Sequence, residues 1–384
     1  MSLANFAVHL RQKLSSVLSA VGVGSASGAG SSNATAGAQL QQRQRQKNKE
    51  AVLLWAGLQQ TDTTAALNAE LRRAHIGLVT KTNYKAPKDP VVLCHGLFGF
   101  DVLGPEAVPG LQVHYWKGIA NALQDIGCKV VVSRVGTVAA LKTRAQELRS
   151  FLENKAEGRA MNLVAHSMGG LDCRYVITHL PSSKFRVNSL TTVATPHRGS
   201  SFMDWCRDSL GLGLLQDYIN KQSDDVVAKH LTSHHHLPQD TNTANPLSDA
   251  MTRTLRAHPL IRALASPIDS PAFANLTKDY CAAFNEITPD DPSVHYASYA
   301  AVVSQMSPLA PLYFSHRIVS EREGVNDGLV SLASAKWGEF MGTVSCDHWQ
   351  LLPPKMRGVV LRKSGFDSIG FYLNLATDLA ERGY

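Results

Sequence analysis

From Pro90 to Ala194, short apolar runs alternate with amphipathic stretches, and that rhythm leaves few folds open to the chain. Pro90-Val-Val-Leu-Cys94, Lys129-Val-Val-Val-Ser133, Met161-Asn-Leu-Val-Ala-His166 and Val187-Asn-Ser-Leu-Thr-Thr-Val-Ala194 read as strands. The run from Met161 is nearly continuous, as expected of a central strand buried on both faces. Tyr115 to Ile126 sets Trp116, Ile119, Ala120 and Leu123 on one helical face, Thr143 to Glu157 carries Leu148, Phe151 and Leu152, and Leu171 to Leu180 resumes the same period. Alternating strand and helix signals predict βαβ units in a mostly parallel sheet.

The rhythm breaks between Ser200 and about Tyr280. Leu210, Leu212, Leu214 and Leu215 crowd one stretch, and helical patterns follow near Ala250 to Leu255 and Leu260 to Leu264. An excursion of this length off a sheet predicts a cap or a packed helical layer. Strand-like segments return at Val294 to Val303 and Tyr313 to Ser320.

The formal charge of +7 invites a nucleic-acid reading until it is located. Residues 1–49 hold no acid and six bases (Arg11, Lys13, Arg43, Arg45, Lys47, Lys49), which leaves about +1 for all that follows. A near-neutral body excludes a basic nucleic-acid groove. Residues 1–49 are expected to be a flexible basic tail, rich in Ser, Ala and Gly between Val17 and Ala38. Its start sets Phe6, Leu10, Leu14 and Val17 at helical spacing beside Arg11 and Lys13, which fits a mitochondrial presequence. A membrane-surface anchor and a plain tail on a cytoplasmic or lipid-droplet protein are the alternatives. Residues 50–89 are expected to form a helical extension, with Ala51, Leu54, Trp55 and Leu58 on one face, and residues 90–384 the main domain. No run of eighteen apolar residues occurs, which argues against a spanning helix.

Six cysteines without a CxxC pair read as buried thiols, with a Cys206–Cys281 bridge open only on a secretory route. The sequons at Asn33 and Asn275 matter only on that same route. His234-His235-His236 reads as a polar loop tip rather than a site for a soft metal.

Ala165-His166-Ser167-Met168-Gly169-Gly170 carries the chemistry. A serine lifted on a strand-to-helix turn needs small residues on either side, so that helix and strand can approach. Gly169 meets that need, and Ala165 does so with more crowding than Gly would. A serine is a poor nucleophile without a base. Asp347-His348-Trp349 supplies a histidine late in the chain, and Asp327 sits in the turn Gly324-Val-Asn-Asp-Gly-Leu-Val330, with Asp347, Asp290 and Asp291 as rival orienters. Gly96, after the first strand, lets the backbone turn so that the Leu97 N–H faces a developing oxyanion, with the Met168 N–H as second donor. His95 is expected to brace this loop rather than act as the base.

These residues carry a likeness. Val92-Leu-Cys-His-Gly-Leu-Phe-Gly-Phe100, Tyr115-Trp-Lys-Gly-Ile119, His166-Ser-Met-Gly-Gly170, Arg174-Tyr175, Ala194-Thr-Pro-His-Arg-Gly-Ser200, Phe284-Asn285, Asn326-Asp-Gly-Leu-Val330 and Asp347-His348 resemble the true lipases of the Pseudomonas/Burkholderia type and their fungal relatives. The resemblance spans roughly residues 90 to 352. It implies an α/β-hydrolase fold, a triad of Ser167, Asp327 and His348, and backbone donors at Leu97 and Met168. It also implies a helical lid over residues 200–280, whose Leu210, Leu212, Leu214 and Leu215 meet lipid. The implied reaction is hydrolysis of long-chain acylglycerols at a lipid or membrane interface. Phospholipids, small soluble esters, acyl transfer to an alcohol and an inactive lipid-binding scaffold are the alternatives. The oligomeric state is open.

One departure concerns a metal. Bacterial members hold a structural calcium with an aspartate two positions after the histidine, where this chain has Gln350. From Tyr299 to Asn326 the only acids are Glu321 and Glu323. Hard cations favour carboxylates, so no metal or cofactor is expected.

Overall fold

A computed structural model describes residues 83–97, 102–103, 113–116, 118–156, 158–210, 226–227, 229–230, 270–352 and 365–384. The expected tail over 1–49, the helical extension as far as residue 82, Leu212, Leu214, Leu215, His234 to His236 and the helical patterns of 250–264 lie outside the described residues. So does the sequon at Asn33.

The predicted strands form β1 (Val91–Cys94), β4 (Val130–Val132), β5 (Ala160–His166) and β6 (Arg186–Val193). The expected strand within Val294 to Val303 is β7 (His295–Ala301), and with the unexpected β8 (Glu339–Val344) it completes a six-stranded sheet among the described residues, in the order β4-β1-β5-β6-β7-β8. Every neighbouring pair is parallel. A short antiparallel ribbon joins β2 (Val102–Leu103) to β3 (Val113–His114).

Side-chain alternation along the strands builds two cores. Val92 and Cys94 of β1, with Met161, Leu163 and Ala165 of β5, face α2 (Leu141–Ala156), α3 (Gly169–His179) and α6 (Lys278–Ile287). Val91, Leu93, Val164 and Val193 face the opposite layer. There Trp116 packs beside Ile119 and Leu123 of α1 (Ile119–Asp125), and Phe371, Tyr372 and Leu375 come from α9 (Ser368–Glu381). A sheet covered on both faces is what continuous apolar strands require. The fold is the α/β-hydrolase type, as the resemblance implied.

Two expectations change. Tyr313 to Ser320 is no strand but part of α7 (Tyr313–Glu323). Its buried residues are Ser315, His316, Ile318 and Val319, a 3–4 spacing that the adjacent aromatics Tyr313 and Phe314 disguise. Helix α3 begins at Gly169, not at Leu171, so both glycines lie inside it. The excursion opens with α4 (Ser201–Leu210) and closes with α5 (Pro271–Ala274) before α6. A short α8 (Leu332–Ala335) precedes β8.

All six cysteines are free and buried, so the Cys206–Cys281 bridge is not formed. Asn275 is also buried, and its Oδ1 accepts the Leu141 N–H at 2.9 Å, which closes that sequon to a glycan. No helix among the described residues is long and apolar enough to cross a membrane.

Candidate active site

The nucleophile position is built by a collision narrowly avoided. Ser167 follows β5 with φ at +57°, a left-handed conformation that a side chain adopts only under constraint. Its N–H donates to the Val193 carbonyl at 3.0 Å, and its own carbonyl accepts the Thr195 hydroxyl at 2.7 Å. The turn is therefore pinned to the end of β6 on both sides. A Cβ on Gly96 would come within 2.6 Å of the Ser167 Cβ, and one on Gly169 within 2.7 Å of the His95 carbonyl oxygen. These two glycines let α3 close against the end of β1. Ala165 points into the α2/α3 core, fully buried, and the fold accommodates its methyl without a glycine there.

Three of the sequence-predicted residues meet. The His348 Nε2 lies 3.0 Å from the Ser167 Oγ, and its Nδ1 lies 2.7 Å from the Asp327 Oδ2. The backbone adds a second tie, because the His348 N–H donates to the Asp327 carbonyl at 2.9 Å. Asp327 and His348 are buried, and Ser167 is 9% exposed. The Asp327 Oδ1 accepts the N–H groups of Leu329 and Val330 at 2.9 and 2.8 Å, so the carboxylate is held by backbone on one oxygen and by imidazole on the other. Such an array can draw a proton from the serine hydroxyl and stabilise the imidazolium that results.

The rival acids are engaged elsewhere. The Asp347 Oδ1 accepts the Trp349 and Gln350 N–H groups, Asp290 accepts the Trp337 indole N–H, and Asp291 caps Ser293. Burial raises the Asp347 carboxyl above the usual carboxylate range.

The loop at Gly96 is braced from below. The His95 ring reaches the Gly96 carbonyl through Nδ1 at 3.1 Å and accepts the Val135 N–H through Nε2 at 3.4 Å, the bracing role expected of it. Beneath it, the buried Arg144 donates to the His95 carbonyl at 2.9 Å, to the Gly136 carbonyl at 2.6 Å and to both Asp172 oxygens. Desolvation pushes the Asp172 carboxyl up, while Arg144 opposes the shift. A buried ion pair is tolerable when its remaining donors and acceptors are filled, and here the filling includes the strand end that carries Gly96. Leu97 packs partly buried against the α2/α3 core. Met168 is the N-cap of α3, where the first N–H groups have no acceptor within the helix.

Several supports were not anticipated from the residues alone. Asn326 locks the acid turn: its Nδ2 donates to the Ser320 Oγ and the Gly324 carbonyl, both at 2.9 Å, and its Oδ1 accepts the Gly328 N–H at 2.8 Å. Glu323 joins that turn to α4, accepting the Ser201 N–H at 2.7 Å and the Ser331 hydroxyl at 2.6 Å. Thr195 and Asn326 both lie in runs that carried the family likeness, which was the available signal. Leu210 ends α4, and Leu212, Leu214 and Leu215 lie outside the described residues.

Two of the oxygens near His348 are engaged by backbone amides. The Gln350 Oε1 accepts the Asp347 N–H at 3.0 Å, and the Asp347 Oδ1 accepts two backbone N–H groups. Among the described residues no three His, Cys, Asp or Glu side chains converge as a metal site.

Comparisons with known proteins point the same way as this geometry. Residues 136–290 match the serine esterase family DUF676, a stretch that includes Ser167 and stops before Asp327. Triacylglycerol lipase 2 of Saccharomyces cerevisiae is 29% identical over 362 residues, covering 79% of this chain and 94% of the relative. The triacylglycerol lipase of Burkholderia plantarii is 29% identical, covering 71% and 80%, and that of Pseudomonas fragi 26%, covering 77% and 97%. The crystal structure of a metagenomic carboxyl esterase superposes with a TM-score of 0.54 at 17% identity, covering 79% of this chain and 78% of that one. The chain is thus an α/β-hydrolase-fold homologue of proteins named triacylglycerol lipases.

Proposed function

We propose that the protein hydrolyses acylglycerol esters by acyl transfer through Ser167. The observation that carries the reading is the continuous hydrogen-bonded line from Asp327 through His348 to Ser167, buried for most of its length. In this reading His348 takes the Ser167 proton on Nε2 as Oγ attacks the ester carbonyl carbon. The Leu97 and Met168 N–H groups receive the developing oxyanion, each worth about 3 kcal/mol in the transition state. Collapse of the tetrahedral intermediate breaks the ester C–O bond, and His348 returns the proton to the departing alcohol. Water then enters and gives a proton to His348 as its oxygen attacks the acyl carbon; the acyl–Oγ bond breaks, the acid departs, and His348 returns the proton to the Ser167 Oγ. Asp327 holds the imidazole in the tautomer with its proton on Nδ1 throughout.

A lipid surface as the place of reaction is supported by exposed apolar side chains, one of them against α4. Leu309 is 95% exposed and Phe314 54% exposed, and the Phe314 ring sits edge-on to Trp205 of α4 at 5.0 Å. An exposed aromatic against the helix where the excursion begins suits a partner of hydrocarbon. The reading includes no resident metal: the Gln350 Oε1 and the Asp347 Oδ1 accept backbone N–H groups, and the neutral amide of Gln350 offers a hard cation no charge. The Ser167→Ala variant tests the whole scheme: it should fold, lose ester hydrolysis by at least about 10⁴-fold, and take up no serine-directed phosphonate. Labelling of that variant at the wild-type rate would make another residue the nucleophile.

A further inference from the structure

The mechanism above makes no use of His166 or Tyr115, yet both lie against its working parts. His166 is 1% exposed, and its ring lies 4.7 Å from that of His348, tilted by 43°. The Tyr115 Oη is 2.6 Å from the His166 Nδ1. The same oxygen accepts the Gly96 N–H at 3.4 Å. Gly96 is the residue before Leu97 and sits close enough to Ser167 that a Cβ there would be 3.1 Å from Oγ.

We propose that Tyr115 and His166 are positioning residues for the reaction: a hydrogen-bonded bridge from the Gly96 amide, through the Tyr115 hydroxyl, to the His166 ring fixes the oxyanion turn relative to the ring of His348. The inference rests on the acyl-transfer reading and adds two residues to it. Its logic is directional. In the proposed bridge the hydroxyl accepts the Gly96 N–H and donates its own proton to the His166 Nδ1, an arrangement that puts the His166 proton on Nε2. That Nε2 is buried, on the ring that faces His348. Tyr115 is itself wedged by rings, with His95 at 5.8 Å and Trp116 at 5.3 Å, so its hydroxyl has little room to wander.

The chemistry favours an uncharged neighbour at this place. When His348 becomes an imidazolium, a second cation 4.7 Å away would oppose it. Desolvation, and then the nearby charge of His348, hold His166 well below the usual histidine range. Burial likewise keeps the Tyr115 hydroxyl protonated, well above its ordinary value. The bridge thus supplies rigidity without adding charge. Its effect should fall on turnover rather than on ground-state binding, because the donors it aligns meet their acceptor fully only in the transition state.

Tyr115→Phe keeps the wedged ring and removes only the bridge atom. With a soluble ester we expect kcat to fall about 10- to 100-fold, KM to stay within about twofold, and phosphonate labelling of Ser167 to slow by the same factor as kcat. His166→Phe should show a loss of similar size. The double variant should be no slower than the slower single one, since both cut the same bridge. A Tyr115→Phe enzyme with wild-type kcat and labelling rate overturns the proposal, and so does a double variant whose loss is the product of the two singles. Wild-type protein that takes up no phosphonate at all would instead overturn the acyl-transfer reading beneath it. Circular dichroism and the thermal midpoint of each variant separate these outcomes from misfolding.

Discussion

The nucleophile turn and the acid turn face each other across His348, and they are held in opposite ways. The Ser167 side chain is presented by steric means, with a left-handed φ and two glycines that permit contact nothing larger would allow, while only its backbone is pinned by Val193 and Thr195. Asp327 is fixed by hydrogen bonds: two backbone donors on one oxygen, the imidazole on the other, and Asn326 and Glu323 tying the turn to α7 and α4. A strained elbow presents an atom rigidly and leaves it bare, which a nucleophile needs. A saturated turn buries a charge without stranding it, which an orienting carboxylate needs.

That contrast can be broken at several points. The largest expected effect is at the charge itself. Asp327→Asn keeps the shape of the turn but lets the amide donate to Nδ1, so the imidazole meets Ser167 with the wrong tautomer. We expect kcat to drop by roughly 10⁴-fold with a nearly unchanged thermal midpoint, read by steady-state kinetics and melting curves. A loss below tenfold would mean another group orients His348.

Steric support should fail more gently and in a different currency. Gly169→Ala forces its methyl onto the carbonyl oxygens of Cys94 and His95, 2.9 and 2.7 Å away. It should destabilise the protein by about 1–3 kcal/mol in denaturant titrations and slow turnover by about 10²-fold as the elbow shifts. Wild-type behaviour in both would show that α3 can retreat without consequence.

Polar support should respond chiefly in stability. Asn326→Ala strands three acceptors and the Gly328 N–H, and the expected loss is about 2–3 kcal/mol. Turnover should fall by no more than about tenfold, because the Asp327 carboxylate keeps its own backbone donors. The smallest effect belongs to metal removal: dialysis against EDTA should leave kcat and the thermal midpoint unchanged. A clear fall that calcium restores would show that a cation, rather than the Asp347–Gln350 hydrogen bonds, supports the base.

The two turns also differ in how far the chain announces them. The elbow was legible, because a strand, a serine and glycines in immediate succession are local facts, and the required small residues are rare enough to notice. Asp327 was one acid among four, and only the family likeness singled it out. What closes around it comes from α7 and from Ser331, while Ser201 lies more than a hundred residues upstream. The misreading of 313–320 has a related cause. Tyr313 and Phe314 lead the segment with aromatics, one of them solvent-exposed, and mask the 3–4 spacing of Ser315, His316, Ile318 and Val319.

From its own letters the chain specified the parallel α/β framework, the serine on its turn and the late histidine, since period, length and small residues act between near neighbours. Only the folded molecule could engage Asp347, Asp290 and Asp291 elsewhere, turn Gln350 and Asp347 toward each other, and bring Tyr115 to His166. Those choices depend on which polar groups are left to one another once water is gone, and that is decided by the meeting of elements far apart along the backbone.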